Sequence, residues 1–232
     1  MELRHKGWAT LPIKEYQAIA ELSRKASEEL AQISEDSADY NQRRGEILLD
    51  LDIDIMARLY NVTRDEILDL SYEEVAEMSA AVAWVNDPVP TISTPDEITI
   101  SGVRYKVVVD MSKFTFGQYL DYQIYQADAF ANAAQLMACL LIPLGKTYGK
   151  GYDLGQTAVD IAEHMPFATA HSLLCFFAKA QRASVRSSLR SMTKEKRKQM
   201  RRATSTQERE RLRKEIKALR LYTSHGCHLP SE

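Results

Sequence analysis

Apolar residues recur at helical spacing over most of this chain, and one short stretch breaks the rule. After Pro12, which suits the first turn of a helix, Tyr16, Ile19, Ala20, Leu22, Ala26, Leu30 and Ile33 keep a 3.6-residue rhythm. A second helix is expected over Tyr40–Leu59, with Ile47, Leu48, Leu51, Ile55 and Leu59 on one side. Thr63 with Glu66, and Ser71 with Glu74, have the spacing of capping boxes. They predict a short helix over Arg64–Leu70 and a longer one over Tyr72–Trp84. Residues 1–11 read as a leader in which Trp8 and Leu11 can dock.

The period changes after the proline-rich stretch NDPVPTISTP (Asn86–Pro95). Proline fixes its own φ and restricts the residue before it, so an extended linker is expected there. Ile98, Ile100, Val103, Tyr105, Val107 and Val109 then flank Ser101-Gly102, which is a hairpin signal. A lone hairpin is marginal in water, so this one should pack on helices. Thr115 or Ser112 is placed to cap a helix running to about Leu141, ended by Pro143. A glycine-containing loop, IPLGKTYGKGYD, leads to a helix over Asp153–His164, which Pro166 interrupts. Thr169 is placed to cap a further helix through Leu173, Phe176 and Phe177, apolar positions expected to be core. No Gly or Pro occurs from Ala168 to His225. The simplest reading is one long helix, with Ala203–Ser205 as the place where it would break. Val185, Leu189 and Met192, then Leu212, Ile216 and Leu219, form short heptad-like stripes. Lys196 and Gln199 interrupt them, so a sustained coiled coil is not expected.

The expected fold is therefore mainly α with a small antiparallel β-hairpin (α+β) and a long basic C-terminal helix. The expected organisation is an acidic helical domain (1–86), a linker (87–96), a hairpin-plus-helices domain (97–178), a basic helical arm (179–222) and a tail (223–232). A length of 232 residues with few Gly and Pro agrees with it.

Charge changes the picture. The net charge of −2 hides a strong asymmetry. From Lys179 to Arg220 there are 16 Lys and Arg against 4 Glu, about +12, which leaves about −14 elsewhere. Arg186, Arg190, Arg197, Arg201 and Arg202 are the candidate partner-binding residues. Arg186 and Arg190 lie one turn apart, as do Arg197 and Arg201, with Lys194, Lys196 and Lys198 around them. Such an arm can neutralise phosphates without reading sequence. It lacks the interleaved aromatics that stack single-stranded bases. Contact with acidic protein, or plain solvation, is the preferred expectation.

Other candidate chemistry gives way to structural readings. Asp50, Asp52 and Asp54 alternate sides on a helix and do not converge on a cation. Gly145-Lys146-Thr147 resembles the end of a phosphate-binding loop but lacks the upstream glycine spacing; a structural loop anchored by its tyrosines is expected. His225, Cys227 and His228 form half of a zinc site at most. No catalytic, cofactor or metal-ligating set is expected. Cys139 and Cys175 fall in apolar runs, as buried cysteines do, which suits a reducing compartment. MELRHKGW has no apolar core behind it, so a secretory leader is not expected. The longest apolar runs fall short of a membrane span.

The cassette from Ile98 to Phe177 carries a resemblance. The hairpin ITISGVRYKVVVD, the helix FGQYLDYQIY, the stretch CLLIPLGKTYGKGYD and the helix FATAHSLLCFF, continuing into a basic helix, resemble a family of tailed-bacteriophage proteins encoded among tail and head-tail genes. The resemblance covers roughly residues 95–200. It implies a non-enzymatic tail assembly chaperone that holds tail components in the host cytoplasm, possessing no catalytic residues to carry over. The expected partners are other phage tail or virion proteins, with non-specific nucleic acid contact through the basic arm and no membrane. The extension TKEKRKQMRRATSTQERERLRKEIKALRLY exceeds the simplest members. It leaves open the alternative of a structural virion protein whose basic arm meets DNA or acidic neighbours.

Overall fold

The computed structural model describes residues 2–108, 110–203 and 205–224, apart from the side chains of 112, 184–186 and 218–224. Mostly helical, with one small antiparallel sheet, it divides into two compact units between Leu173 and Leu174.

In the first unit, α1 (Ile13–Leu30) and α2 (Tyr40–Tyr60) pack against each other. The next helices are α3 (Arg64–Leu68) and α4 (Tyr72–Val82), which runs into a 3-10 turn over Ala83–Asn86. Both expected capping boxes form: the Thr63 and Ser71 hydroxyls accept from the Glu66 and Glu74 amides, and each glutamate reaches back to its cap residue's N–H. Trp8 and Leu11 are buried. The Ile13 amide donates to the Met165 carbonyl at 3.1 Å and the Phe167 amide to the Leu11 carbonyl at 2.7 Å. The proline-rich stretch is held at two points. Trp8 Nε1 donates to the Asp87 carbonyl at 3.1 Å, and the Ile92 amide to Ser172 Oγ at 2.9 Å.

β1 (Glu97–Ile100) and β2 (Val103–Val107) form the expected hairpin, with Ile100 opposite Val103. Ser101 and Gly102 both have positive φ, 48° and 78°, the backbone of the two-residue turn that matches strand twist. The sheet has a third strand. β3 (Leu141–Pro143) pairs with β2, Lys106 opposite Ile142. The expected continuous helix from Thr115 to about Leu141 is two helices, α5 (Phe116–Tyr125) and α6 (Ala133–Leu140). Asp128 and Asn132 break it. Asp128 Oδ1 accepts from the Ala131 amide, and Asn132 Nδ2 donates to the Tyr125 carbonyl, local bonds that compete with the helical ladder. Thr115 is the cap of α5, with Gln118 completing the box.

α7 (Leu154–His164) starts from an Asp153 cap, and α8 (Phe167–Arg202) follows directly after Pro166. Thr169 therefore lies inside α8 instead of capping it. α9 (Thr206–Ser224) is separate, so the break falls at 203–205 and the one long basic helix is two helices.

α6 is the centre of the first unit. Ala133, Ala134 and Leu136–Leu140 are all buried, as expected for a helix whose one polar residue is the half-buried Gln135. α1, α5 and α7 pack on it. A buried helix end leaves orphan carbonyls that need partners, and each one here has a partner. The Met137 carbonyl accepts from the Leu141 amide, that of Ala138 from the Tyr152 hydroxyl, that of Cys139 from Gln118 Nε2 at 2.7 Å, and that of Leu140 from the Val108 amide at 2.9 Å.

Gln118→Leu should therefore destabilise the protein by about 1–3 kcal/mol despite adding apolar volume, because a buried carbonyl loses its donor. Leu120→Ser, two residues on and on the exposed side, should change stability by less than about 0.5 kcal/mol. Urea denaturation of both variants checks the contrast.

Candidate partner-binding surfaces

The orientation of α5 follows from its duty to α6. Its inward face is polar: Gln118 bonds the Cys139 carbonyl, and Asp121 accepts from the Tyr148 hydroxyl at 2.6 Å. Tyr122 is buried beside them, edge-on to Phe114. The outward face is consequently apolar. Phe116 is 77% exposed, Leu120 45% and Ile124 65%, at i, i+4 and i+8, with Tyr119 (43%) alongside. A helical pattern alone would bury these residues, and nothing in the sequence marked them as exposed.

The GKTYGKGYD loop is structural. Gly145, Gly149 and Gly151 take left-handed φ values of 82°, 85° and 63°, where a Cβ is strained. Tyr148 and Tyr152 stack obliquely at 5.1 Å and fasten the loop to α5 and α6. Gly145-Lys146-Thr147 lies well before the start of α7 at Leu154, so no helix N-terminus backs it as in a phosphate-binding loop.

A cavity of about 760 Å³ forms an open groove between α1 and α2. Its charged walls are matched within the chain: Glu15 with Arg58 at 2.6 Å, Lys14 with Glu163 at 3.3 Å, and Asp54 with Arg64 at 3.1 Å. Arg64 also pairs with Asp50. Two of the three aspartates of the α2 run thus share one guanidinium. Among the described residues no cluster of His, Cys, Asp or Glu has the shape of a metal site, and no helix is long and apolar enough to cross a membrane. His225, Cys227 and His228 lie outside the described residues.

In the second unit, α8 and α9 form an antiparallel hairpin. Arg209 Nε donates to the Ala203 carbonyl at 2.9 Å, next to the turn, and Lys196 Nζ meets Glu215 Oε2 at 2.7 Å further along. Ala203, Leu212 and Ile216 are buried, while Leu189 and Met200 are half-buried. Met192 is exposed, so only part of its heptad-like stripe enters the seam; Val185 and Leu219 lie outside the described side chains. Of the candidate arginines, Arg190, Arg197 and Arg201 share one side of α8, at i, i+7 and i+11. Arg202 is exposed one turn beyond Lys198, and the Arg186 side chain is not among those described. The hairpin adds residues that spacing alone did not select: Arg197, Arg213 and Lys217 line a single groove with Met200 and Ile216.

Of the expected core positions, Leu173 and Phe177 are buried and Phe176 is 38% exposed. Comparison with protein families, with curated proteins and with solved structures yields no match.

Cys139 is buried, and burial pushes its thiol up to about 12. The unfolded chain's thiol ionises near 9, so the folded state holds its proton more tightly. This contribution to stability is present below about pH 9 and is lost as pH rises toward 12. In a Cys175→Ser/Cys227→Ser variant, the remaining thiol should ignore Ellman's reagent at pH 8 until denaturant is added. Reaction at the free-cysteine rate in the folded protein would contradict this burial.

Proposed function

We propose that this chain is a non-enzymatic assembly protein of a tailed bacteriophage, most closely a tail assembly chaperone acting in the host cytoplasm. The observation that carries this reading is the apolar outer face of α5, made of Phe116, Tyr119, Leu120 and Ile124. An exposed apolar stripe on an ordered helix is a surface for holding another protein's apolar segment. It lies within the cassette that resembles the phage family. The partners proposed are other tail proteins whose apolar segments need cover before assembly. The surrounding unit is acidic, with 27 Asp and Glu against 14 Lys and Arg over residues 1–173. That charge favours apolar segments flanked by Lys or Arg and keeps the exposed stripe soluble. A structural virion protein is the second reading, favoured by the cationic side of the α8–α9 hairpin.

Quantitative mass spectrometry of infected-cell lysate against purified particles separates the two. A chaperone is abundant in lysate and missing from particles; a fixed copy number in particles overturns the chaperone reading. In the same lysate, a tagged Phe116→Ser/Ile124→Ser variant should capture tail proteins about tenfold less than the parent chain. Its urea midpoint should stay unchanged.

A further inference from the structure

The hairpin of the second unit is electrostatically two-sided. One side of α8 presents Arg190, Lys194, Arg197, Lys198 and Arg201, at i, i+4, i+7, i+8 and i+11, all exposed. Because α9 runs antiparallel, Arg209, Arg213 and Lys217 face the same way, as the groove shared by Arg197, Arg213 and Lys217 requires. Glu210 is the one carboxylate near this side. The opposite side is balanced: Lys196 and Arg211 stand with Glu208 and Glu215. The ion pairs differ as well. Arg211 and Lys196 both meet Glu215, at 3.0 and 2.7 Å. Among the described residues, none of the eight cations on the first side has a carboxylate within 4.0 Å. The hairpin thus uses one lysine to close its seam and leaves a full sector of charge unmatched.

From these observations we infer that this sector binds the phosphate backbone of duplex DNA without reading its sequence. The row on α8 spans about 16 Å at 1.5 Å per residue. That length of duplex carries about ten phosphate charges, counting both strands, so the row meets phosphates along its whole extent. Five of the eight cations are arginines, whose planar donors suit phosphate oxygens. The described residues of this side include no aromatic ring, which removes the platform that single strands stack on. An acidic protein is the competing occupant. It would need carboxylates spaced in two parallel rows, a regularity that a nucleic acid backbone has by construction. The inference deepens the virion reading but does not depend on it, since binding is measured on the purified chain.

The test is fluorescence anisotropy of the full-length protein with a labelled duplex of about 20 base pairs, from about 50 to 200 mM salt. Affinity should fall by about 10³-fold over that range. Arg197→Gln/Arg213→Gln should weaken binding and reduce the log–log salt slope by about 2. Lys196→Gln/Arg211→Gln, which removes the same net charge from the side paired with Glu215, should leave the slope unchanged. Equal losses in the two variants would overturn the sidedness and with it the proposal. So would tighter binding to a single strand of the same length or to polyglutamate than to the duplex. The comparison of ligands uses the unmodified protein, so it decides the matter even if a variant misfolds.

Discussion

The first unit depends on satisfying the C-terminal end of α6 in the dry interior. A helix apolar on nearly all sides is driven inward by the hydrophobic effect, but its last carbonyls go with it. Leaving one such group without a partner costs about 1–3 kcal/mol, a large share of the stability of an ordinary domain. Here the four carbonyls recruit the Leu141 amide, the Tyr152 hydroxyl, the Gln118 amide and the Val108 amide. These partners come from the start of β3, the glycine loop, α5 and the segment after β2. The sheet, the loop and the helix are thereby tied to one point. The same requirement turns the polar edge of α5 inward and leaves Phe116, Leu120 and Ile124 outside. The exposed stripe is a consequence of core chemistry.

Local signals in the sequence fared well where the physics is local. Thr63, Ser71 and Thr115 cap helices with Glu66, Glu74 and Gln118 because the bonds lie within three residues. Ser101-Gly102 forms the turn because Gly102 takes the left-handed region freely and a two-residue connection matches the twist of the strands it joins. The errors sit where a segment's state is decided elsewhere. Leu141–Pro143 reads as the end of an apolar helix; only the open edge of β2 makes it a strand, and a short apolar run does not distinguish the two. The break between α5 and α6 depends on Asp128 and Asn132 turning their side chains on nearby backbone, which polar residues in a helical pattern do not announce.

The basic region shows the same division. Sequence spacing found Arg197 and Arg201 on one side of a helix but treated the surrounding cations alike. Sidedness appears only when α9 folds back, because the seam assigns Lys196 to Glu215 and brings Arg213 and Lys217 beside Arg197. A charge count predicts neither outcome, since it is unchanged when α9 folds back on α8.

Net charge is a poor guide to how such a chain behaves. The total of −2 would suggest weak electrostatics and a tendency to self-associate. The charge is instead segregated along the chain, strongly negative before Leu173 and strongly positive from Lys179 to Arg220. Each part repels its own kind and attracts the other's over roughly a Debye length, about 8 Å at physiological salt. Opposite parts of two copies can therefore meet as readily as either meets a foreign partner. Added salt weakens all of these contacts together, whereas the apolar face of α5 loses nothing by screening and gains under salting-out conditions. Ionic strength is therefore the variable that separates the two kinds of contact: those that survive it belong to the apolar face of α5, and those that vanish with it belong to the charged parts, the hairpin or the acidic unit.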